Sequence, residues 1–348
     1  MCSDKDKIQY RDETLNKDEL IKLLEDTIIP ASCTDMTPYL QPIADALMGV
    51  MPVPLYRFRT INEYSLSAFD KDLIFFSRAK DFNDPYDSLL TSPSFEDIMR
   101  CPAESIACFM NAFRDQLLKG MEIPQNIKDL FPPSLLDQML GFMKMQLEAE
   151  EGGEMTEPNW HEIQAKLKDM VANFANDLRD SESYACFSES ITSSTMWAHY
   201  ADYHKGFALS YDMKSLILSK PNGIMILPVI YSDVRYDATN LLGWATAKML
   251  GLPMNRIDQL DKIKSALYKS SEWAYEKEWR LINSADQAHT HPSLKYAPTG
   301  IYYGSRISEI NKKILHNMAI EKGLKEYEMY LDRSSSDYQM RIQPLSIE

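Results

Sequence analysis

The sequence predicts an α+β protein: short, mostly antiparallel strands forming a small mixed core, with a helical insertion and an N-terminal helical extension. Three observations lead there. Segments such as LYRFRT (55–60) and SYACFSES (183–190) are short, aromatic-rich and bounded by polar turns, which is strand chemistry. Other stretches place apolar residues three and four apart, the period of an amphipathic helix. The two textures alternate irregularly rather than as a βαβα series, which favours α+β over a doubly wound parallel sheet.

Taken in order, Leu20, Leu23, Leu24 and Ile28, and then Leu40, Ile43 and Leu47, give residues 1–53 the pattern of a helical extension. A core domain is expected over 54–348. It opens with LYRFRT, a small helix and DLIFFS (72–77). A helical insertion at 95–180 follows in three runs: Ile106, Phe109, Phe113 and Leu117; Leu136, Met139, Leu140, Met143 and Leu147; Trp160, Ile163, Leu167, Met170, Phe174 and Leu178. Its Met and Phe stripes read as packing. Strands resume with SYACFSES, GFALSYD (206–212) and IMILPVIYS (224–232). A helix is expected around 257–273, then strands EKEWRLI (276–282) and GIYYGSRI (300–307), a helix at 308–322 and a strand at 325–332.

Composition narrows the function classes. Asp plus Glu number 51 against 37 Lys plus Arg, a net charge of −14, so non-specific nucleic-acid binding is disfavoured without a local basic patch. The five cysteines are widely spaced with no C-x-x-C pair, which predicts reduced thiols in a cytoplasmic protein rather than a disulfide framework or a zinc cluster. The first residues lack the apolar core of a signal peptide, and no apolar run reaches the roughly 18 residues of a membrane span. Walker A, G-x-G-x-x-G, G-x-S-x-G and H-E-x-x-H patterns are absent. His199 and His204 stand five apart, which diverges on a helix and argues against a shared metal, so no metal cofactor is expected. Cys186 sits among aromatic residues, where a thiol is inert.

LYRFR, FNDPYD, MWAHYADYHKGF and YEKEWR, in this order with GIYYGSRIS behind them, resemble the bacterial domain-of-unknown-function family 2971 over about 54–307, outside the insertion. That resemblance carries no mechanism. The residues themselves offer two readings. On a strand alternate side chains share a face, so Arg57 and Arg59 point together, and Glu276, Glu278 and Arg280 do likewise. In one reading the arginines and glutamates pair to close the fold.

In the other, the Arg, Ser and Glu-x-Glu pattern resembles ADP-ribosyltransferase-like domains. This resemblance implies that Arg57, with Arg59 beside it, holds the phosphates or ribose of NAD as substrate, that Ser77 orders the nicotinamide side, that Glu278 is the catalytic carboxylate and that Glu276 faces the acceptor. Arg78 follows Ser77 where the toxin branch of those domains has a Ser-Thr-Ser run. FNDPYD reads as a turn, with Asn83 or Asp84 a candidate hydrogen-bonding group for a ribose or base. MWAHYADYHKGF reads as a short helix capped by Gly206 in the left-handed region, with His199 either a solvent-facing residue or a general acid. Arg57, Ser77, Asn83, His199 and Glu278 are expected to meet in one cleft. The partner expected is a small-molecule nucleotide, with no membrane; the alternative is a non-catalytic nucleotide- or protein-binding module.

Overall fold

A computed structural model describes residues 16–30, 33–91, 97–98, 160–219, 223–249, 258–283 and 292–345. The first two helical runs of the predicted insertion lie outside these residues. The third forms one long helix, Trp160–Asp180. The α+β architecture is as the sequence predicts. Its centre is an eight-stranded sheet in the order β12-β11-β10-β4-β1-β3-β8-β5, where β1 is Leu55–Arg59, β3 Ser183–Ser188, β4 Phe207–Tyr211, β5 Ile224–Pro228, β8 Glu278–Asn283, β10 Gly300–Tyr303, β11 Lys325–Leu331 and β12 Met340–Pro344. Every neighbouring pair is antiparallel except β10 with β11. That parallel pair needs a crossover, which the helix Glu309–Glu321 supplies while burying Leu315 and Ala319 one turn apart.

Strands β4, β8 and β10 are buried at every position, which is why apolar residues dominate both of their faces and why the charged Glu278 and Arg280 of β8 need partners. Phe207, Leu209 and Tyr211 of β4 face one core, together with Leu55, Phe187, Trp279 and Ile301. The N-terminal helices Lys17–Asp26 and Thr37–Val50 add Leu20, Leu24, Ile43 and Leu47 to it. Ala208 faces a second core with Phe58, Tyr302 and Trp197. Trp197 belongs to the short helix Ser194–Tyr200, stands edge-on to Phe58 at 5.1 Å, and donates its ring N–H to the Ile191 carbonyl at 2.6 Å.

Four local expectations are corrected. The helix around 257–273 is in fact a five-residue helix, Asp261–Ser265, followed by strand β7, Tyr268–Ser270, and a 3-10 turn, Ser271–Glu276. Glu276 therefore sits in that turn and not on β8. IMILPVIYS divides at Val229 into β5 and β6, Ile230–Ser232, and β6 pairs with β7 outside the main sheet. DLIFFS gives only β2, Leu73–Phe75, paired with β9, Ser293–Lys295.

The Ser194–Tyr200 helix ends before the predicted Gly206 cap, and the chain turns through three residues of positive φ, Asp202, Tyr203 and His204. Gly206 answers a different need: a Cβ there would lie 2.1 Å from the Arg59 carbonyl oxygen and 3.0 Å from the Ala201 Cα. Because those atoms are backbone, they cannot swing aside. Gly206→Ala is expected to cost about 1–3 kcal/mol or more in urea unfolding, whereas Gly49→Ala, which meets nothing within 4 Å inside a helix, should be neutral or stabilising. Equal midpoints for Gly206→Ala and wild type would contradict this packing.

Candidate functional site

The sheet is forked. β1 shares five paired positions with β4 but only Tyr56↔Ser188 with β3. Beyond that pair β1 and β3 part, and Ser77 takes the vacated place beside β3, exchanging backbone hydrogen bonds with Tyr184 at 2.8 Å in both directions. A cavity of about 340 Å³ opens in the fork. Its lining includes Arg57, Arg59, Ser77 and Asn83, together with Glu276 and Glu278. Six of the eight residues singled out from sequence thus converge, Asp84 and His199 being the exceptions. His199 does not line the cavity; it lies exposed, with Nδ1 3.1 Å from the Tyr275 hydroxyl.

One wall is a buried ion network. Glu278 is 3% exposed and receives the Arg280 Nε–H at Oε1, 2.9 Å, and Lys269 Nζ at Oε2, 2.8 Å. Lys269 also donates to Glu276 Oε2 at 2.5 Å. Arg280, fully buried, donates to Asp87 Oδ2 at 2.5 Å and to the Ala266 carbonyl at 2.6 Å. Its partner on the β8 face is Glu278, as strand alternation requires. The turn that carries Glu276 is fixed by the Ser188 hydroxyl, which donates to the Glu276 carbonyl at 2.6 Å. Lys277, left-handed with φ 45°, then redirects the chain into β8. Glu276 and Glu278 consequently converge on one ammonium.

The two carboxyls are driven in opposite directions. Burial alone would raise the Glu278 pKa, but Arg280 and Lys269 outweigh it and hold the group well below the ordinary carboxylate range. For Glu276 burial prevails and the pKa is raised, although Lys269 opposes it. Tyr200 donates its hydroxyl to Glu276 Oε1, and Asn83 Nδ2 donates to the Tyr200 oxygen at 3.1 Å. Burial and the Glu276 charge push the Tyr200 phenol well up. Cys186 is likewise raised by burial, as expected of an inert thiol.

Across the cavity the arrangement is reversed. Arg57 is 8% exposed, and its Nη2 donates to the Phe75 carbonyl at 2.6 Å, while buried Nη1 has no partner among the described residues. Burial, with Arg59 beside it, pulls its pKa down to about 9. The expected pairing of Arg57 and Arg59 with Glu276 and Glu278 does not form. The glutamates are engaged by Lys269 and Arg280 instead, and no carboxylate among the described residues pairs with either arginine.

Sequence reasoning missed Lys269, Asp87 and Tyr200. Asp87 and Tyr200 lie inside the motifs FNDPYD and MWAHYADYHKGF, which could have flagged them. Lys269 was hidden by the helical reading of its segment.

The model of a family described as Protein of unknown function (DUF2971) matches residues 196–281. The match takes in MWAHYADYHKGF and EKEWR, whereas LYRFR, FNDPYD and GIYYGSRIS lie outside it. Among curated proteins and solved structures, none matches the chain. Among the described residues no helix is long and apolar enough to cross a membrane.

Removing the Glu278 charge takes one of two carboxylate partners from each of two buried cations, leaving Lys269 with Glu276 and Arg280 with Asp87. Glu278→Gln is expected to lose about 3–5 kcal/mol of stability. Because the folded-state pKa is depressed, this contribution is present above the ordinary value of 4.5 and is lost as the pH falls below it. Urea unfolding of both proteins should show a gap near neutral pH that shrinks on acidification to about pH 3. A gap that is absent or independent of pH would contradict the network.

Proposed function

We propose that the fork cavity binds NAD as a substrate and cleaves or transfers its ADP-ribose. The observation that supports this is Arg57: a buried guanidinium on the cavity wall that, among the described residues, has an unpartnered Nη1 and no carboxylate to neutralise it. An unpaired charge in such a place is costly, and an anion that accepts two parallel N–H bonds, such as a diphosphate, relieves it. Arg59, half-buried on the same strand, adds a second cation. The opposite wall is acidic, and Phe82, Tyr184 and Tyr200 supply rings between. NAD has the matching polarity, with a diphosphate at one side and a cationic nicotinamide riboside at the other. A volume of about 340 Å³ lies at the lower end of small-molecule sites, enough to enclose one nucleotide half.

In this reading Glu278, ionised throughout the physiological range, supplies a fixed negative potential towards the ribose as its glycosidic bond to nicotinamide breaks. Nicotinamide leaves with the bonding electron pair, and the ribose carries cationic character that a carboxylate stabilises. Glu276, with its raised pKa, takes the proton from the attacking hydroxyl or amine. Tyr200 and Asn83 orient it. Ser77 stands at the cavity rim as a further hydrogen-bonding group.

A second reading rests on a specific observation: both Glu278 oxygens are already engaged by Arg280 and Lys269. Such a carboxylate suits a non-catalytic nucleotide-binding module. Turnover separates the two. Calorimetry with NAD should show saturable binding that Arg57→Ala weakens by roughly tenfold to a hundredfold. Nicotinamide release should fall about a hundredfold in Glu276→Gln, which keeps the shape and loses the base. Binding without nicotinamide release would establish the module reading, and no binding at millimolar NAD would overturn both assignments to this ligand.

A further inference from the structure

A second cavity, of about 330 Å³, lies on the far side of the ion network and shares Lys269 with the fork cavity. The FNDPYD turn serves both: Asn83 lines the first cavity and the adjacent Asp84 lines the second. Asp84 is 4% exposed. Its Oδ1 accepts the Tyr86 N–H at 2.9 Å, which closes the turn, while buried Oδ2 has no partner among the described residues. A half-satisfied buried carboxylate on a cavity wall calls for a donor from inside that cavity.

The rest of the lining fits a positively charged donor. Asp233 and Glu272 add two carboxylates, and Tyr236 and Trp273 add ring faces. Two cations of the protein also line the cavity, but both are engaged. Lys269 is held by Glu276 and Glu278. Arg235 lies 5.9 Å over the Tyr86 ring and donates to the Thr91 hydroxyl at 3.3 Å. Lys269 itself stands 5.1 Å from the Trp273 ring centre, so the aromatic groups here already favour cations.

We propose that this cavity is a separate binding site for an organic cation, an alkylammonium or alkylguanidinium group whose N–H donates to Asp84 Oδ2 and whose charge is flanked by the aromatic and acidic lining. The site is independent of what occupies the fork cavity. With Lys269 paired, three carboxylates face one cation, Arg235, so a neutral ligand would leave the acidic excess uncompensated and an anion would add to it.

Calorimetry on the full chain with n-butylammonium and n-butylguanidinium chloride, against n-butanol as the uncharged control, tests this. At least one cation is expected to bind saturably in the millimolar range or tighter, and butanol is not. Asp84→Asn keeps a carbonyl oxygen for the Tyr86 N–H, so the turn survives, but it should weaken cation binding roughly tenfold or more. Trp273→Leu, at the cavity wall, is a second variant should Asp84→Asn fail to fold; it should weaken binding severalfold and remove any cation-induced change in tryptophan fluorescence. Arg57→Ala should leave cation binding unchanged, so failure of the NAD reading and failure of this one are distinguishable. No binding of either cation at millimolar concentration, equal binding of butanol, or full affinity in a folded Asp84→Asn or Trp273→Leu protein would overturn the proposal.

Discussion

The grip of Arg280 and Lys269 on Glu278 is the interaction on which the rest of the site depends. Glu278 is the first residue of β8, between β3 and the edge strand β5, and its carboxylate is tied on both oxygens. Through Arg280 the network reaches Asp87 at the end of the FNDPYD turn, and through Lys269 it reaches Glu276 and, by way of Tyr200, Asn83. Segments far apart in the chain are thereby held at one place. Partners this dry are costly to assemble and more costly to break singly, so the network specifies an arrangement more than it adds stability.

Because Lys269 and Arg280 engage the glutamates without matching the three carboxylates of the network, no carboxylate among the described residues pairs with Arg57 or Arg59. The fork between β1 and β3 turns that imbalance into a cavity. If the two strands had continued as a regular ladder, Arg57 would lie opposite Phe187 within the sheet; instead it spans the gap to the Phe75 carbonyl, with its guanidinium 5.6 Å from the Phe187 ring. A cleft with a basic side and an acidic side follows, and its acidic side doubles as the partition from the second cavity.

Much of the fold was legible, for identifiable reasons. LYRFR, GFALSY and GIYY are short and aromatic because their strands are largely buried, and the helix Glu309–Glu321 falls within the segment expected at 308–322. The misreadings share a cause. Around Lys264 and Lys269, lysines at spaced positions imitate the polar face of a helix, but both are buried to meet carboxylates, Asp258 in one case and Glu276 with Glu278 in the other. Tertiary ion pairing is invisible to periodicity. Gly206 was misplaced as a cap because its role, making room for the Arg59 carbonyl, depends on a strand more than a hundred residues earlier. Arg57, Ser77, Asn83 and the two glutamates could be nominated from their motifs, whereas the identity of Glu278's partners depended on Lys269, whose segment had been read as helix.

The central claim is that Glu278's charge is committed to the fold while that of Arg57 is held in reserve. Thermal unfolding of Arg57→Met, ligand-free and near neutral pH, tests it most directly. Methionine fills the same space without burying an uncompensated cation, so the account expects a melting temperature equal to or above that of wild type, rising by up to a few degrees at about 2 °C per kcal/mol for a chain this long. A fall equivalent to about 3 kcal/mol or more would mean that Arg57 carries a pair the fold relies on, and would contradict the account.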